Sequence, residues 1–196
     1  MSDTLRRQLN FTVEVDKLKG VLRQTLLTDG SRHENSAEHS WHLAIMALVL
    51  SDYAREKDID LTRVLTMVLI HDLVEIDAGD TYCYDEEARR GQKDREKKAA
   101  ARIFGLLPSD QGEKFLQIWR EFDALQTPEA RFAAALDRLQ PIMHNYLTGG
   151  VMWRHHGIKK AQVVERNMPM EQGAPDLWRY ASALIDDAVE KGMLAP

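Results

Sequence analysis

The sequence predicts an all-α protein, and three observations support this fold class. Apolar residues recur at the three- and four-residue spacing of amphipathic helices through most of the chain. The 11 glycines and 6 prolines fall mostly between these periodic segments. Few stretches show the apolar–polar alternation of a half-buried strand. A chain of 196 residues can bury a substantial core, so we expect one domain of about eight helices over residues 1–196.

The first part of the chain is expected to form three helices. The first covers residues 13–27 and ends near Gly30. The second covers residues 36–57 and has an apolar face. The third follows a capping aspartate, spans residues 60–77, and ends at Gly79.

The second part is expected to begin with an irregular segment and to continue as helices. Residues 79–91 lack helical periodicity. Helices are predicted over residues 92–104 and 109–122. A Thr-Pro-Glu start opens another over residues 127–147, and the last covers residues 175–191.

Composition narrows the possible partners and locations. The formal net charge is −5 and no run of lysine or arginine is present, so we expect no nucleic-acid polymer as a partner. The single cysteine, Cys83, excludes a disulfide within the chain and favours a reducing compartment, the cytoplasm. The apolar run over residues 64–70 is too short to cross a membrane.

The clearest chemical feature is the pair His71-Asp72 at the end of this apolar run. Two buried ionisable groups need partners, and a divalent cation would satisfy both. Glu75 shares their helical face, and Asp77 and Asp80 follow closely. Carboxylates at this density repel one another unless a cation neutralises some of them or some stay protonated. A solvated acidic helix end is the alternative interpretation.

Two other segments supply candidate ligands. His39 and His42 lie three residues apart near the start of a helix, and spacing alone does not choose between them. Asp137 follows an apolar, alanine-rich stretch and precedes Pro141 by four residues. Because proline has no N–H, we expect the helix to bend at this point. His144 falls on the same side of a regular helix as Asp137.

Together these elements resemble the HD-domain metal-dependent phosphohydrolases, which fold as a helical bundle. The order is one histidine, a His-Asp pair and a distant aspartate. The likeness is closest to the branch with the bacterial 5′-deoxynucleotidases and oxetanocin-type phosphohydrolases. Its signatures stand here as ENSAEHS (residues 34–40), HDLVE (residues 71–75) and Gly-Asp (residues 79–80). The resemblance covers residues 11 to about 150, which leaves the helices over residues 151–196 without an assigned role.

The resemblance implies a set of site residues and a reaction. It selects His39 over His42 and implies one metal bound by four ligands. It assigns proton handling or water positioning to two further acids, and a phosphate contact to one arginine. The metal ligands are His39, His71, Asp72 and Asp137, the acids are Glu75 and Asp80, and the arginine is Arg32.

The implied substrate is a small phosphate ester, in particular a (deoxy)nucleoside 5′-monophosphate. The implied metal is Mn, Co, Fe, Ni or Zn, because two imidazoles and two carboxylates suit all of these ions. The deoxynucleotidases carry an Arg-Trp pair on the first helix, whereas the nearest positions here are Gln24 and Thr25. A triphosphate, another phosphorylated metabolite or a non-catalytic binding module are therefore alternatives. Lys93, Arg89 and Arg90 are further candidate phosphate contacts.

The resemblance also makes a homodimer plausible. Three tryptophans on helices, at positions 119, 153 and 178, offer an interface, although aromatic residues on helices more often lie in the core. The segment Trp153–His156 (WRHH) is expected at the surface or at the rim of the substrate site, because adjacent histidines on a helix point in different directions.

Overall fold

The computed structural model describes residues 2–85 and 87–196, and its architecture is helical. These residues contain eleven α-helices, eight of them at least eight residues long, and one two-stranded sheet. The all-α prediction is therefore confirmed. The helices are α1 (Asp3–Val15), α2 (Ser36–Leu50), α3 (Leu61–Ile70), α4 (Glu75–Ala78), α5 (Gln92–Phe104), α6 (Ser109–Ala124), α7 (Pro128–Leu147), α8 (Val151–His155), α9 (Lys160–Asn167), α10 (Met170–Gly173) and α11 (Pro175–Glu190), and the strands are β1 (Leu22–Leu26) and β2 (His33–Asn35).

The predicted helix over residues 13–27 is wrong. Helix α1 ends at Val15, close to where the predicted helix was expected to begin. A 3-10 turn follows over Asp16–Gly20, and β1 then pairs antiparallel with β2. Leu26 lies opposite His33, and Gly30 takes a positive φ of 72° in the turn between the strands. The backbone hydrogen bonds of this hairpin outweigh the weak local helical preference of the segment.

The hairpin places the start of α2. The side chain of Asn35 accepts a hydrogen bond from the Glu38 backbone N–H at 2.9 Å, and Glu38 accepts one from the Asn35 N–H at 3.2 Å. This reciprocal cap fixes where the helix begins. It thereby fixes the position of His39, one residue further on.

The predicted helix over residues 60–77 is interrupted. The side chain of Asp60 caps α3, the backbone tightens into a 3-10 turn over His71–Val74, and α4 follows. Gly79 ends α4 with a φ of 74°. This positive φ is unfavourable for residues that carry a side chain, so it suits glycine. The His-Asp pair thus lies on the tightened turn, directly after the buried end of α3.

Helix α7 lies at the centre of the molecule. It packs against α2, α3, α6, α10 and α11, and it runs on as a helix through Pro141. The hydrophobic core is one connected cluster that extends from Phe11 to Leu194. The core of the described residues is thus continuous, and one domain over residues 1–196 stays a prediction. The sequence did not predict α8, α9 and α10, which are only four to eight residues long.

Two further sequence expectations concern the tryptophans and membrane-spanning segments. Trp119 and Trp153 are buried in the core, and Trp178 packs against it. No helix among residues 2–85 and 87–196 is both long and apolar enough to cross a membrane.

Candidate active site

The structure brings the four expected metal ligands together from three parts of the chain. His39 comes from α2, His71 and Asp72 from the 3-10 turn after α3, and Asp137 from α7. The His39 Nε2 lies 2.9 Å from Asp137 Oδ1 and 4.0 Å from Asp72 Oδ2. The His71 Nε2 lies 3.0 Å from Asp72 Oδ1 and 3.7 Å from Asp137 Oδ1. Both imidazoles are buried, whereas the Asp137 side chain is partly exposed.

The other ring nitrogen of each histidine has a protein acceptor. The Nδ1 of His39 lies 3.2 Å from Gln140 Oε1, and the Nδ1 of His71 lies 3.0 Å from the Val68 carbonyl oxygen. Donation at Nδ1 leaves an acceptor lone pair at each Nε2 in the neutral ring. Among the described residues, the buried His71 Nε2 has no hydrogen-bond partner.

Charge in this cluster fits a divalent cation. Burial and the positive charge of the nearby Arg23 together lower the pKa of His39 to about 4. Burial disfavours the charged form of Asp137, but the nearby imidazoles of His39 and His71 hold its pKa well below the usual range. Burial opposes a charged His71, but Asp72 and Asp137 raise its pKa overall. Imidazole nitrogens and carboxylate oxygens that face each other at about 3–4 Å need a shared proton or a positive ion between them. Two imidazole nitrogens and two carboxylates are the donor set that several first-row metal ions accept.

Arg23 is a site residue that the sequence analysis missed. Its guanidinium is largely buried and donates to Asp72 Oδ2 at 2.8 Å, with Asp80 Oδ1 at 3.7 Å. Burial opposes its charge, but the surrounding carboxylates raise its pKa above the usual value. Arg23 lies within the segment wrongly predicted as a helix, directly before Gln24. A lone arginine there carried no spacing signal.

The two predicted proton-handling acids lie beside the ligand cluster. Ser36 Oγ donates to Glu75 Oε2 at 2.7 Å. Burial raises the pKa of Glu75 well above its usual value, the charge of Asp72 raises it further, and Arg23 opposes the rise. Burial also raises the pKa of Asp80, again against Arg23. Both carboxyls therefore hold protons more tightly than exposed acids do.

The structure does not bring Arg32 to this site. Its guanidinium is exposed and pairs with both carboxylate oxygens of Glu38 at 2.7 and 2.8 Å. Of the other basic candidates, Arg89 and Lys93 line the pocket described below, whereas Arg90 is not among its lining residues.

A second polar cluster lies behind the ligands. Gln140 Nε2 donates to Glu34 Oε1 at 2.6 Å and to His144 Nε2 at 3.1 Å. His144 in turn uses its Nδ1 toward the Leu26 carbonyl oxygen at 2.9 Å. Burial raises the pKa of Glu34 to about 7, although Arg23 and Gln140 oppose the rise. His42 lies at the edge of this cluster and not among the four ligands.

The ligand cluster opens into a cavity of about 430 Å³. Its walls come from β1, the loop after α4, helices α5, α6 and α7, and the C-terminal helices. The lining residues include Gln24, Thr25, Tyr82, Cys83, Tyr84, Lys93, Phe122, Arg138, Asn145, Trp153, Arg166 and Asn167. The volume suits a small organic ligand. The C-terminal segment, to which the sequence assigned no role, thus forms part of the pocket wall.

The chain matches a known protein family over most of its length. Residues 15–178 match the family described as HD domain. The chain therefore belongs to the HD domain family, which confirms the resemblance inferred from the His and Asp motifs.

The chain is also similar to individual proteins and to a solved structure. The chain is 30% identical to human 5′-deoxynucleotidase HDDC2 over 139 residues, which is 70% of this chain and 66% of the human protein, just under two thirds of its length. It is 30% identical over 141 residues to the Danio rerio protein of the same name, which is 70% of this chain and 68% of that one. A crystal structure of a predicted metal-dependent phosphohydrolase from Magnetospirillum magnetotacticum is 53% identical, with a TM-score of 0.95 over 98% of this chain and 96% of that one.

Proposed function

We propose that this protein is a metal-dependent phosphomonoesterase that removes phosphate from a (deoxy)nucleoside 5′-monophosphate. One observation carries the proposal: the Nε2 atoms of His39 and His71 converge with Asp72 and Asp137 at the floor of a pocket, beside two acids with raised pKa values. The names of the relatives, 5′-deoxynucleotidase and predicted metal-dependent phosphohydrolase, support this reaction and substrate class.

In this proposal the chain holds one divalent ion with His39, His71, Asp72 and Asp137. When bound, such an ion supplies positive charge that stabilises the phosphoryl oxygens and lowers the pKa of water. Arg23 keeps one oxygen of Asp72 in place through its 2.8 Å hydrogen bond. It also contributes positive charge at the end of the pocket where the phosphate would lie.

Glu75 would accept the proton of the attacking water. Its raised pKa makes the carboxylate a stronger base, and the Ser36 hydroxyl orients it through a 2.7 Å hydrogen bond. Asp80 would support Glu75 or donate a proton to the leaving oxygen. Its own raised pKa suits the donor role, because an acid must be protonated before it can donate.

The finer assignments rest on the family resemblance. We propose Mn or Co as the metal in assays, with Fe, Ni and Zn as alternatives, and a homodimer as the assembly.

The exposed apolar side chains of Trp41, Ile45 and Val49 on α2 are a candidate dimer surface. Sedimentation analysis of wild type and Trp41→Ser tests this: a dimer weakened by the substitution is expected, and a monomeric wild type contradicts it. The single cysteine supports the cytoplasm as location.

Two substitutions separate metal binding from chemistry. Glu75→Ala should keep the metal and lose turnover by a factor of about 100 or more, as expected for loss of a general base. His71→Ala should lose the metal itself. His155→Ala, at an exposed histidine on α8, is the matched control and should change neither quantity. Metal content is read by elemental analysis and turnover by phosphate release. Full turnover in Glu75→Ala would remove Glu75 from the mechanism, and unchanged metal in His71→Ala would overturn the ligand assignment.

A further inference from the structure

Among residues 2–85 and 87–196, three arginines that line the pocket have no carboxylate within 4.0 Å: Arg89, which is exposed, and the partly buried Arg138 and Arg166. Arg138 lies on α7 and Arg166 on α9, and both are partly buried where they line the cavity. Six arginines of the described chain pair with carboxylates within 4.0 Å, namely Arg6, Arg23, Arg32, Arg63, Arg102 and Arg179, and the other unpaired arginines, apart from Arg89, do not line the cavity.

The placement of these two guanidinium groups is unfavourable in the free protein. Both side chains are partly buried in one cavity, and neither has a carboxylate within 4.0 Å among the described residues. Burying like charges next to each other costs free energy unless an anion offsets it. A stretch of pocket wall with this charge is therefore suited to bind an anionic group.

This positive region differs from the one at the metal ligands. Arg23 interacts with Asp72 and Asp80, so its charge is already largely matched. Arg138 and Arg166 have no such ion pair among the described residues, although both line the same cavity. The pocket thus contains one arginine whose charge is matched by carboxylates beside the proposed catalytic acids and, on α7 and α9, two whose charge is not.

We propose that Arg138 and Arg166 form a second anion-binding subsite, which holds a second phosphate group carried on the leaving-group part of the substrate. This inference rests on the proposed function and narrows its substrate class to phosphate monoesters with another phosphate, such as nucleoside bisphosphates. Guanidinium groups bind phosphate through paired, charge-assisted hydrogen bonds, and two of them suit a doubly charged group.

Binding of two matched ligands tests the subsite. Deoxyadenosine 5′-monophosphate and deoxyadenosine 3′,5′-bisphosphate are titrated into the full-length protein with added Mn²⁺, in a Glu75→Gln background that slows hydrolysis in every arm. The variants are Arg138→Gln and Arg166→Gln. Arg120→Gln is the matched control, because Arg120 is an exposed arginine on α6 outside the pocket.

The background protein should bind the bisphosphate about tenfold more tightly than the monophosphate, the order expected for hydrogen bonds to charged groups. Each pocket variant should lose most of this preference and leave monophosphate binding within about a factor of three, whereas Arg120→Gln should retain it. Equal binding of the two ligands by the background protein overturns the proposal. So does an equal loss for both ligands in the variants, since the arginines would then serve the reacting phosphate.

This readout does not depend on turnover. Absence of phosphate release from any ester, together with a preserved bisphosphate preference, would remove the proposed function and leave an anion-binding pocket. Folding is checked by thermal unfolding, where neutralising one of two like charges should leave the Tm unchanged or raise it. If either glutamine variant unfolds, Arg138→Lys and Arg166→Lys replace it, and a partial loss of preference is expected because lysine cannot bind phosphate through two parallel hydrogen bonds.

Cys83 offers a second test without any substrate. It is the only cysteine of the chain, and Arg166 lies beside its thiol. A positive pocket should favour anionic iodoacetate over neutral iodoacetamide as the alkylating reagent. The rate ratio of the two reagents should fall severalfold in Arg166→Gln and stay constant in Arg120→Gln. A ratio that is the same in wild type and Arg166→Gln would contradict a positively charged subsite.

Discussion

Gln140 connects His39, a proposed metal ligand, with the polar cluster behind it. The amide nitrogen of Gln140 donates to Glu34 Oε1 at 2.6 Å. The amide oxygen then faces His39 Nδ1 at 3.2 Å and accepts its proton. This arrangement selects the tautomer of His39 whose Nε2 is free to bind a metal.

Replacing Gln140 by leucine should therefore weaken metal binding. We expect a loss of about 10- to 100-fold in affinity, the range found when groups that orient metal-binding histidines are removed. Metal titration of stripped protein measures the change. Gln117→Leu, at an exposed glutamine on α6, is the control and should bind as wild type does. An unchanged affinity in Gln140→Leu would show that the amide does not orient His39.

Single residues also show what a sequence pattern can and cannot predict. The four proposed ligands were named from motif spacing together with the family resemblance, and spacing alone did not choose His39 over His42. Arg23 was missed because a lone arginine is not part of any sequence pattern. Its position beside Asp72 depends on the hairpin. Arg32, which was chosen by position, pairs with Glu38 and does not line the pocket.

Among the elements, α10 approaches α7 closely through a glycine. A Cβ atom added at Gly173 would lie 2.2 Å from the Arg131 carbonyl oxygen of α7. The carbonyl of Gly173 also accepts a hydrogen bond from the Arg55 N–H at 2.8 Å. This contact sets the path of the C-terminal segment, which includes α9 and therefore Arg166.

Gly173→Ala should force α10 away from α7. The expected cost is about 1–3 kcal/mol of unfolding free energy, as for other overpacked sites. Urea denaturation measures it, and Gly20→Ala is the control because a Cβ there meets nothing within 4 Å. Equal stability of Gly173→Ala and wild type would contradict the close approach of the two helices.

Element prediction succeeded where periodic segments were long. Helices α5, α6, α7 and α11 were predicted close to their observed bounds. The hairpin was missed because each strand is only three to five residues long and gains its stability from pairing with the other. Helices α8, α9 and α10 are similarly too short for helical periodicity to identify them.

At the scale of the whole molecule, the proposed metal site joins distant parts of the chain. Its ligands come from α2, from the turn after α3 and from the central helix α7. An ion bound there would contact all three segments only in the folded state. Binding to the folded state alone raises the free energy of unfolding.

Metal removal should therefore lower thermal stability. At a free metal concentration of about 100 times the Kd, the expected stabilisation is about 2.7 kcal/mol. Thermal unfolding of chelator-stripped protein with and without added Mn²⁺ measures the shift, and His71→Ala should show none. Identical Tm values for stripped and metal-supplied wild type would contradict a site that joins these helices.

The pocket explains why the substrate could not be predicted from sequence. Its walls combine β1, the loop after α4, helices α5, α6 and α7, and the C-terminal helices, which are brought together only by folding. No spacing rule links Arg138 to Arg166 or to Tyr84. The chemistry at the floor follows from short motifs, whereas the shape and charge of the walls depend on tertiary packing.

Phosphate release by metal-stripped protein tests the central claim most directly. Deoxyadenosine 5′-monophosphate is supplied with and without Mn²⁺ or Co²⁺, and inorganic phosphate is measured for wild type and His71→Ala. The proposed function predicts release by wild type that requires added metal, and no release by His71→Ala under either condition. Metal-independent release, or no release from this ester or any other nucleoside monophosphate with either metal, would contradict a metal-dependent nucleotide phosphomonoesterase.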